Sequence, residues 1–127
     1  MTNRKRMPLA VAALGLTALG LTACSSAAST TRSAAQAKTA AVTATCAQVG
    51  GVLADGPDSD ADPVGYAEAQ VGPLGKIATQ DAALRAAIGK LAGAYQEFFS
   101  SNGSTSAKEA VSVASNAINK ICPGATS

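Results

Sequence analysis

Three cysteines are the side chains of this sequence best suited to covalent chemistry. They are Cys24, Cys46 and Cys122, in a chain of 127 residues that contains no histidine. A thiol can form a disulfide or ligate a metal, and as a thiolate it is a nucleophile. Cys24 differs from the other two because it directly follows an apolar run, at the end of the tetrapeptide LTAC. Its position therefore needs an explanation of its own.

The first 23 residues have the organisation of an export signal. A basic stretch, MTNRKR, precedes the apolar segment MPLAVAALGLTALGLTA. That segment is short for a bilayer span, although a transmembrane anchor is the alternative. We therefore predict that residues 1–23 are a signal peptide and take no part in the fold.

The tetrapeptide LTAC resembles the lipobox of bacterial lipoprotein precursors, in which an aliphatic residue and two small residues precede a cysteine. The resemblance implies lipid attachment to the thiol of Cys24 and cleavage between Ala23 and Cys24. Two or three acyl chains hold a protein stably to a membrane. We expect an exported lipoprotein on the outer face of the cytoplasmic membrane, in the cell envelope. An ordinary signal peptide cleaved near Ala27 or Ala28 is the alternative.

Once Cys24 is assigned to the lipid, the remaining cysteines form an even pair, Cys46 and Cys122. In an exported protein such a pair predicts a disulfide. A metal held by both thiols is the alternative, but two thiols without histidine fall short of the four ligands of a structural zinc site. We predict no metal site and no cofactor.

Charge and composition restrict the function classes. The coded net charge is +2, but without residues 1–23 the chain has seven basic and eight acidic residues. These charges are scattered, whereas a nucleic-acid partner requires a basic stripe. With no histidine to act as a general base, and with both remaining thiols predicted to be paired, we do not expect an enzyme.

The elements that position these groups are predicted to be helices. Only 3% of the residues are aromatic, and alanine is abundant, which favours an all-α protein with a core of small residues. Residues 24–42 are predicted to be a flexible tether rich in Ser, Thr and Ala, with a frayed helix in its latter half as the alternative. Helices are expected from Thr43 to Ala54, from Asp62 with a kink or break at Gly72-Pro73, from near Asp81, and from a capping box at Ser106.

Short loops between these helices predict an up-down four-helix bundle over residues 43–123, followed by a tail at 124–127. A three-helix bundle with an irregular N-terminal segment is the alternative. The four-helix topology places the end of the last helix beside the first, where Cys122 and Cys46 fall. The disulfide is therefore expected to cross-link the first and last helices of the bundle.

All four aromatic residues are predicted to gather at the end of the bundle away from the disulfide. They are Tyr66, Tyr95, Phe98 and Phe99. Aromatic residues at helical spacing usually pack in a core, but this group would also suit a small ligand pocket between helices.

An acidic loop, DGPDSDADP at residues 55–63, is predicted beside the aromatic residues. Its aspartates at positions 58, 60 and 62 have the spacing that opens an EF-hand. Pro63 and Ala69 stand where that motif needs its glycine and its bidentate glutamate, so a solvated loop ending in a helix cap is the preferred interpretation.

The sequence therefore predicts a lipid-anchored, non-catalytic interaction or structural module of the cell envelope with a protein partner. The alternative is a carrier that binds an apolar or haem-like ligand at the aromatic end of the bundle. In composition the mature part resembles the small, Ala-rich helical lipoproteins of high-GC bacteria, most of them without an assigned activity.

Overall fold

The computed structural model describes residues 26–126, and its side chains from residue 31, as four α-helices with no strand in that range. The helices are α1 (Ser26–Leu53), α2 (Pro63–Lys76), α3 (Ala82–Ser100) and α4 (Thr105–Ile121). This confirms the predicted all-α four-helix bundle rather than the three-helix alternative. Among the helices described, none is long and apolar enough to cross a bilayer.

The first helix begins much earlier than predicted. We expected an irregular tether over 24–42 and a helix from Thr43, whereas α1 is continuous from Ser26. The helix is favoured by alanine, and it accommodates threonine because each hydroxyl can donate to a carbonyl one turn back, as Thr39 does to Ala35 at 3.0 Å. Residues 31–41 are exposed, so this part of α1 is a solvated helix rather than part of the core.

The second helix begins as predicted but has no break. Asp62 is the N-cap and accepts a hydrogen bond from the Gly65 N–H at 2.9 Å. A Cβ at position 65 would meet that carboxylate, so a larger residue there would require the Asp62 side chain to shift. The helix continues through Pro73 to Lys76. Pro73 and Ala69, whose carbonyl loses its helical partner, are both exposed, so this carbonyl is not left unpaired in the core.

The fourth helix begins one residue before the predicted cap. Its N-cap is Ser104, which accepts a hydrogen bond from a first-turn N–H at 3.3 Å, and not Ser106. The preceding residues Asn102 and Gly103 have φ values of 51° and 80°, in the left-handed region. This tight reversal after α3 places Ser104, rather than Ser106, at the helix start.

The central element is α3, which packs extensively against both α2 and α4, while α1 makes fewer contacts. Every member of its predicted apolar stripe is buried, together with Ala87 and Ala94. The stripe consists of Leu84, Ile88, Leu91, Tyr95 and Phe98. The other helices add Val49, Leu74 and Ile118, all fully buried. Because alanine fills much of the remaining interface, the helices pack around a thin core.

The predicted disulfide joins Cys46 in α1 to Cys122 at the end of α4, with the Cα atoms 5.3 Å apart. It closes a loop with a sequence separation of 76. Since α1 has fewer packing contacts than the other helices, this bond is a principal attachment of α1 to the bundle.

The C-terminal residues pack against the bundle. The Thr126 N–H donates to the Asn119 side-chain oxygen at 3.2 Å, and the Asn119 amide donates to the Thr126 hydroxyl. Ala125 packs against the core. The chain therefore turns back after Cys122 and runs beside α4.

Candidate functional site

Tyr66 of α2 and Tyr95 of α3 form an edge-to-face pair, with ring centroids 5.8 Å apart and an interplanar angle of 80°. The Tyr66 hydroxyl donates to the Leu53 carbonyl at the end of α1, at 2.7 Å. The ring contact therefore joins α2 to α3, and the hydrogen bond joins α2 to the end of α1.

Both tyrosine hydroxyls are neutral at physiological pH. Burial raises the pKa of Tyr66 above its ordinary value. Burial also raises the pKa of Tyr95, and the neighbouring Tyr66 raises it further. Each hydroxyl thus keeps its proton for donation and can also accept a hydrogen bond.

A partly open cleft of about 580 Å³ lies against the tyrosine pair. Four parts of the chain line it: the end of α1, the acidic loop, the pair together with Ser115 of α4, and the tail after Cys122. The lining is mostly hydroxyl groups and backbone. Its residues are Gly50, Leu53, Ala54, Gly56, Pro57, Asp58, Ser59, Tyr66, Tyr95, Ser115, Gly124, Ala125 and Thr126.

A smaller cavity of about 270 Å³ also touches the tyrosine pair. It shares both tyrosines, Ser59 and Thr126 with the cleft, and it adds Pro63, Phe98, Lys108 and Val111. The structure thus brings together three of the four aromatic residues proposed for a pocket. The fourth, Phe99, packs against the core and lines neither of these two cavities.

The relation between the aromatic end and the disulfide differs from our expectation. We placed the two at opposite ends, but the tail immediately after Cys122 folds back and lines the cleft. Ala125 and Thr126 of this tail were therefore missed as site residues, and so was Ser115 of α4. A short Pro-Gly tail carries no periodic pattern, and the pairing of Thr126 with Asn119 exists only in the folded chain.

The acidic loop is held in place by backbone contacts. Gln70 is 1% exposed and donates to the Asp55 carbonyl at 2.6 Å. Asp58 accepts from the N–H groups of Asp60 and Ala61 at 2.8 and 3.3 Å. Within residues 26–126 no three acidic, cysteine or histidine side chains are grouped to hold a metal. The loop therefore serves as a wall of the cleft.

Gln70 was also missed by the sequence analysis. It occupies the buried face of α2, between the buried residues Ala67 and Leu74. The spacing of three and four residues from these neighbours was the available signal. A polar residue on such a stripe is expected to hydrogen-bond a neighbouring segment inside the fold. Gln70 does so with the acidic loop.

A second concave surface lies between α3 and α4. This groove, which we call the alanine groove, has a volume of about 390 Å³. Its residues are Lys90, Ala94, Glu97, Ala110, Val113, Ala114 and Ala117. Val113 is 71% exposed and is the exposed large apolar residue of the described part of the chain. Short side chains in the groove permit the close approach of another helix.

The predicted lipidation and cleavage residues, Cys24 and Ala23, lie outside the described residues. Comparison with known proteins adds no further assignment. No family model matches the chain, and no curated protein or solved structure is significantly similar to it.

Proposed function

We propose that this protein is an exported, lipid-anchored module of the bacterial envelope that binds a protein partner and has no catalytic role. The observation that carries the partner proposal is the alanine groove. Ala94 and Ala114 are buried in it, Lys90 and Glu97 supply charges of both signs, and Val113 is left exposed. An amphipathic helix of a partner would cover Val113 and meet charges of both signs.

A photo-crosslinking amino acid at position 113 is expected to capture a discrete partner in living host cells. The matched control is the same amino acid at Ala86, an exposed α3 position outside the groove. The adduct should disappear when Ala110 is replaced by glutamate, because a charge in the groove opposes burial of an apolar helix. Equal adducts from positions 113 and 86, or an adduct that survives Ala110→Glu, would contradict the partner proposal.

The anchor is supported by the lipobox LTAC and by the apolar segment before it. We expect Cys24→Ser to move the protein from the membrane fraction to the soluble exported fraction, because serine offers no thiol for acylation. Cys46→Ser is the matched control, since it removes a different cysteine and should leave the protein in the membrane fraction. Intact mass spectrometry of the wild type should show acyl groups on the chain from Cys24 onward. A wild type of unmodified mass, or membrane retention of Cys24→Ser, would refute the anchor.

A second candidate function, small-ligand binding, is favoured by the cleft beside the tyrosine pair. A volume of about 580 Å³ lies within the usual range of small-molecule sites. The lining favours a polar ligand over the apolar or haem-like one expected from the aromatic residues. The Tyr66 hydroxyl is already bonded to the Leu53 carbonyl, so ligation of haem iron would break a bond of the fold.

A further inference from the structure

We propose that the cleft binds a small organic cation that carries an ammonium group. This inference rests on the second candidate function, that the cleft takes a small ligand, and it adds the chemical class. Three features of the lining support it: its charge, the end of α1, and the hydrogen-bonding state of its side chains.

The lining of the cleft contains no basic side chain and one carboxylate, that of Asp58. Asp55, Asp60 and Asp62 lie in the same loop and are exposed. Lys108 lines the neighbouring cavity but not the cleft. Such a concentration of negative charge in the loop that lines the cleft attracts cations and repels anions.

The C-terminal end of α1 adds to this negative potential. Gly50 and Leu53 of its last turn line the cleft, as does Ala54 just beyond it. That turn carries no basic side chain to offset the partial negative charge of the helix end. A cation bound in the cleft would offset the partial negative charge at this end of α1.

Two groups of the lining can accept a hydrogen bond from a ligand that donates one. The Tyr66 proton is engaged by the Leu53 carbonyl, so towards a ligand this hydroxyl acts as an acceptor. Asp58 uses one carboxylate oxygen for two backbone N–H groups, and its second oxygen has no hydrogen bond to the described residues. An ammonium group is a donor with no acceptor. The volume suits an organic molecule rather than a bare metal ion.

Intrinsic fluorescence tests the proposal directly. The full chain contains two tyrosines and no tryptophan, so its emission comes from Tyr66 and Tyr95, which both line the cleft. The probes are ethanolamine, which carries an ammonium donor at neutral pH, and its neutral carbon isostere, propan-1-ol. We expect a saturable millimolar response to ethanolamine and at least about fivefold weaker binding of propan-1-ol, in keeping with the loss of a charge-assisted hydrogen bond.

Two aspartate variants provide the matched comparison. Asp58→Asn retains the oxygen that accepts the backbone hydrogen bonds but removes the charge, and it should weaken ethanolamine binding by about two- to fivefold. Asp60→Asn removes the same charge from an exposed residue of the loop that does not line the cleft, and should change binding less. An unchanged melting temperature would show that both variants retain the fold.

Three results would overturn the proposal: no saturable response to ethanolamine, equal losses in both aspartate variants, or equal binding of ethanolamine and propan-1-ol. The last result would still be consistent with a ligand site in the cleft, but it would show that the site does not select cations. The first would also remove the support for the carrier function.

Discussion

Replacing Cys46 and Cys122 together with alanine is expected to lower the free energy of unfolding by about 4–5 kcal/mol, the chain-entropy value for a loop of this length. The disulfide closes a loop with a sequence separation of 76, so it removes many conformations from the unfolded chain. Small domains have a total stability of about 5–15 kcal/mol. The bond should therefore supply a large share of the stability of this thin-cored bundle.

Denaturant unfolding of the double variant and the wild type measures this loss. A reductant should bring the wild type to the stability of the double variant and leave that variant unchanged. Cys24→Ala is the matched control, because it removes a cysteine outside the predicted disulfide and should have no effect on unfolding. A loss below about 1 kcal/mol, the size of an average substitution, would show that packing alone holds α1.

Leu91→Ala is expected to cost about 2–5 kcal/mol of unfolding free energy, the range for truncating a buried leucine. Leu91 is 0% exposed and lies in the middle of α3, the helix that packs against both α2 and α4. Since alanine already fills much of the surrounding interface, few long side chains are available to move into the cavity. The cost should lie in the upper part of that range.

Val113→Ala is the control for Leu91→Ala, because it also shortens an aliphatic side chain on a helix. Val113 is 71% exposed, so its truncation should change stability by less than about 0.5 kcal/mol. Parallel denaturation curves would check both values. Similar losses of unfolding free energy in the two variants would show that the inner face of α3 is not part of the core.

The helices could be predicted from local patterns because those patterns arise within a few residues. The spacing of Leu84, Ile88, Leu91, Tyr95 and Phe98 identified the buried face of α3, and all five are buried. Asp62 before Pro63 marked the start of α2. In each case the physical cause, a helical period or a cap, acts over one or two turns.

The prediction failed where a helix has no apolar face to mark it. Residues 26–42 contain mainly alanine, serine and threonine and were expected to be an irregular tether, with a frayed helix in the latter half as the alternative, but all of them belong to α1. Their helix depends on the high intrinsic helix propensity of alanine, which a search for an apolar stripe does not detect.

The candidate cleft could be predicted only in part. The approach of Tyr66 and Tyr95 followed from folding two adjacent helices into a hairpin. The polar character of the cleft did not, because it comes from Ser115, Thr126 and the end of α1. These groups are remote in the chain from the tyrosines and carry no shared spacing.

The amino-acid sequence by itself determined that this is a helical protein with one cysteine pair, because helical periodicity and cysteine number are local or countable properties. Only the tertiary structure decided which groups face one another. In the folded chain the tail after Cys122 runs back beside α4, Gln70 donates a hydrogen bond to the acidic loop, and the end of α1 lies beside the tyrosine pair. These contacts lie outside the hydrogen-bond pattern of any single helix, and their energies exist only once the helices have packed.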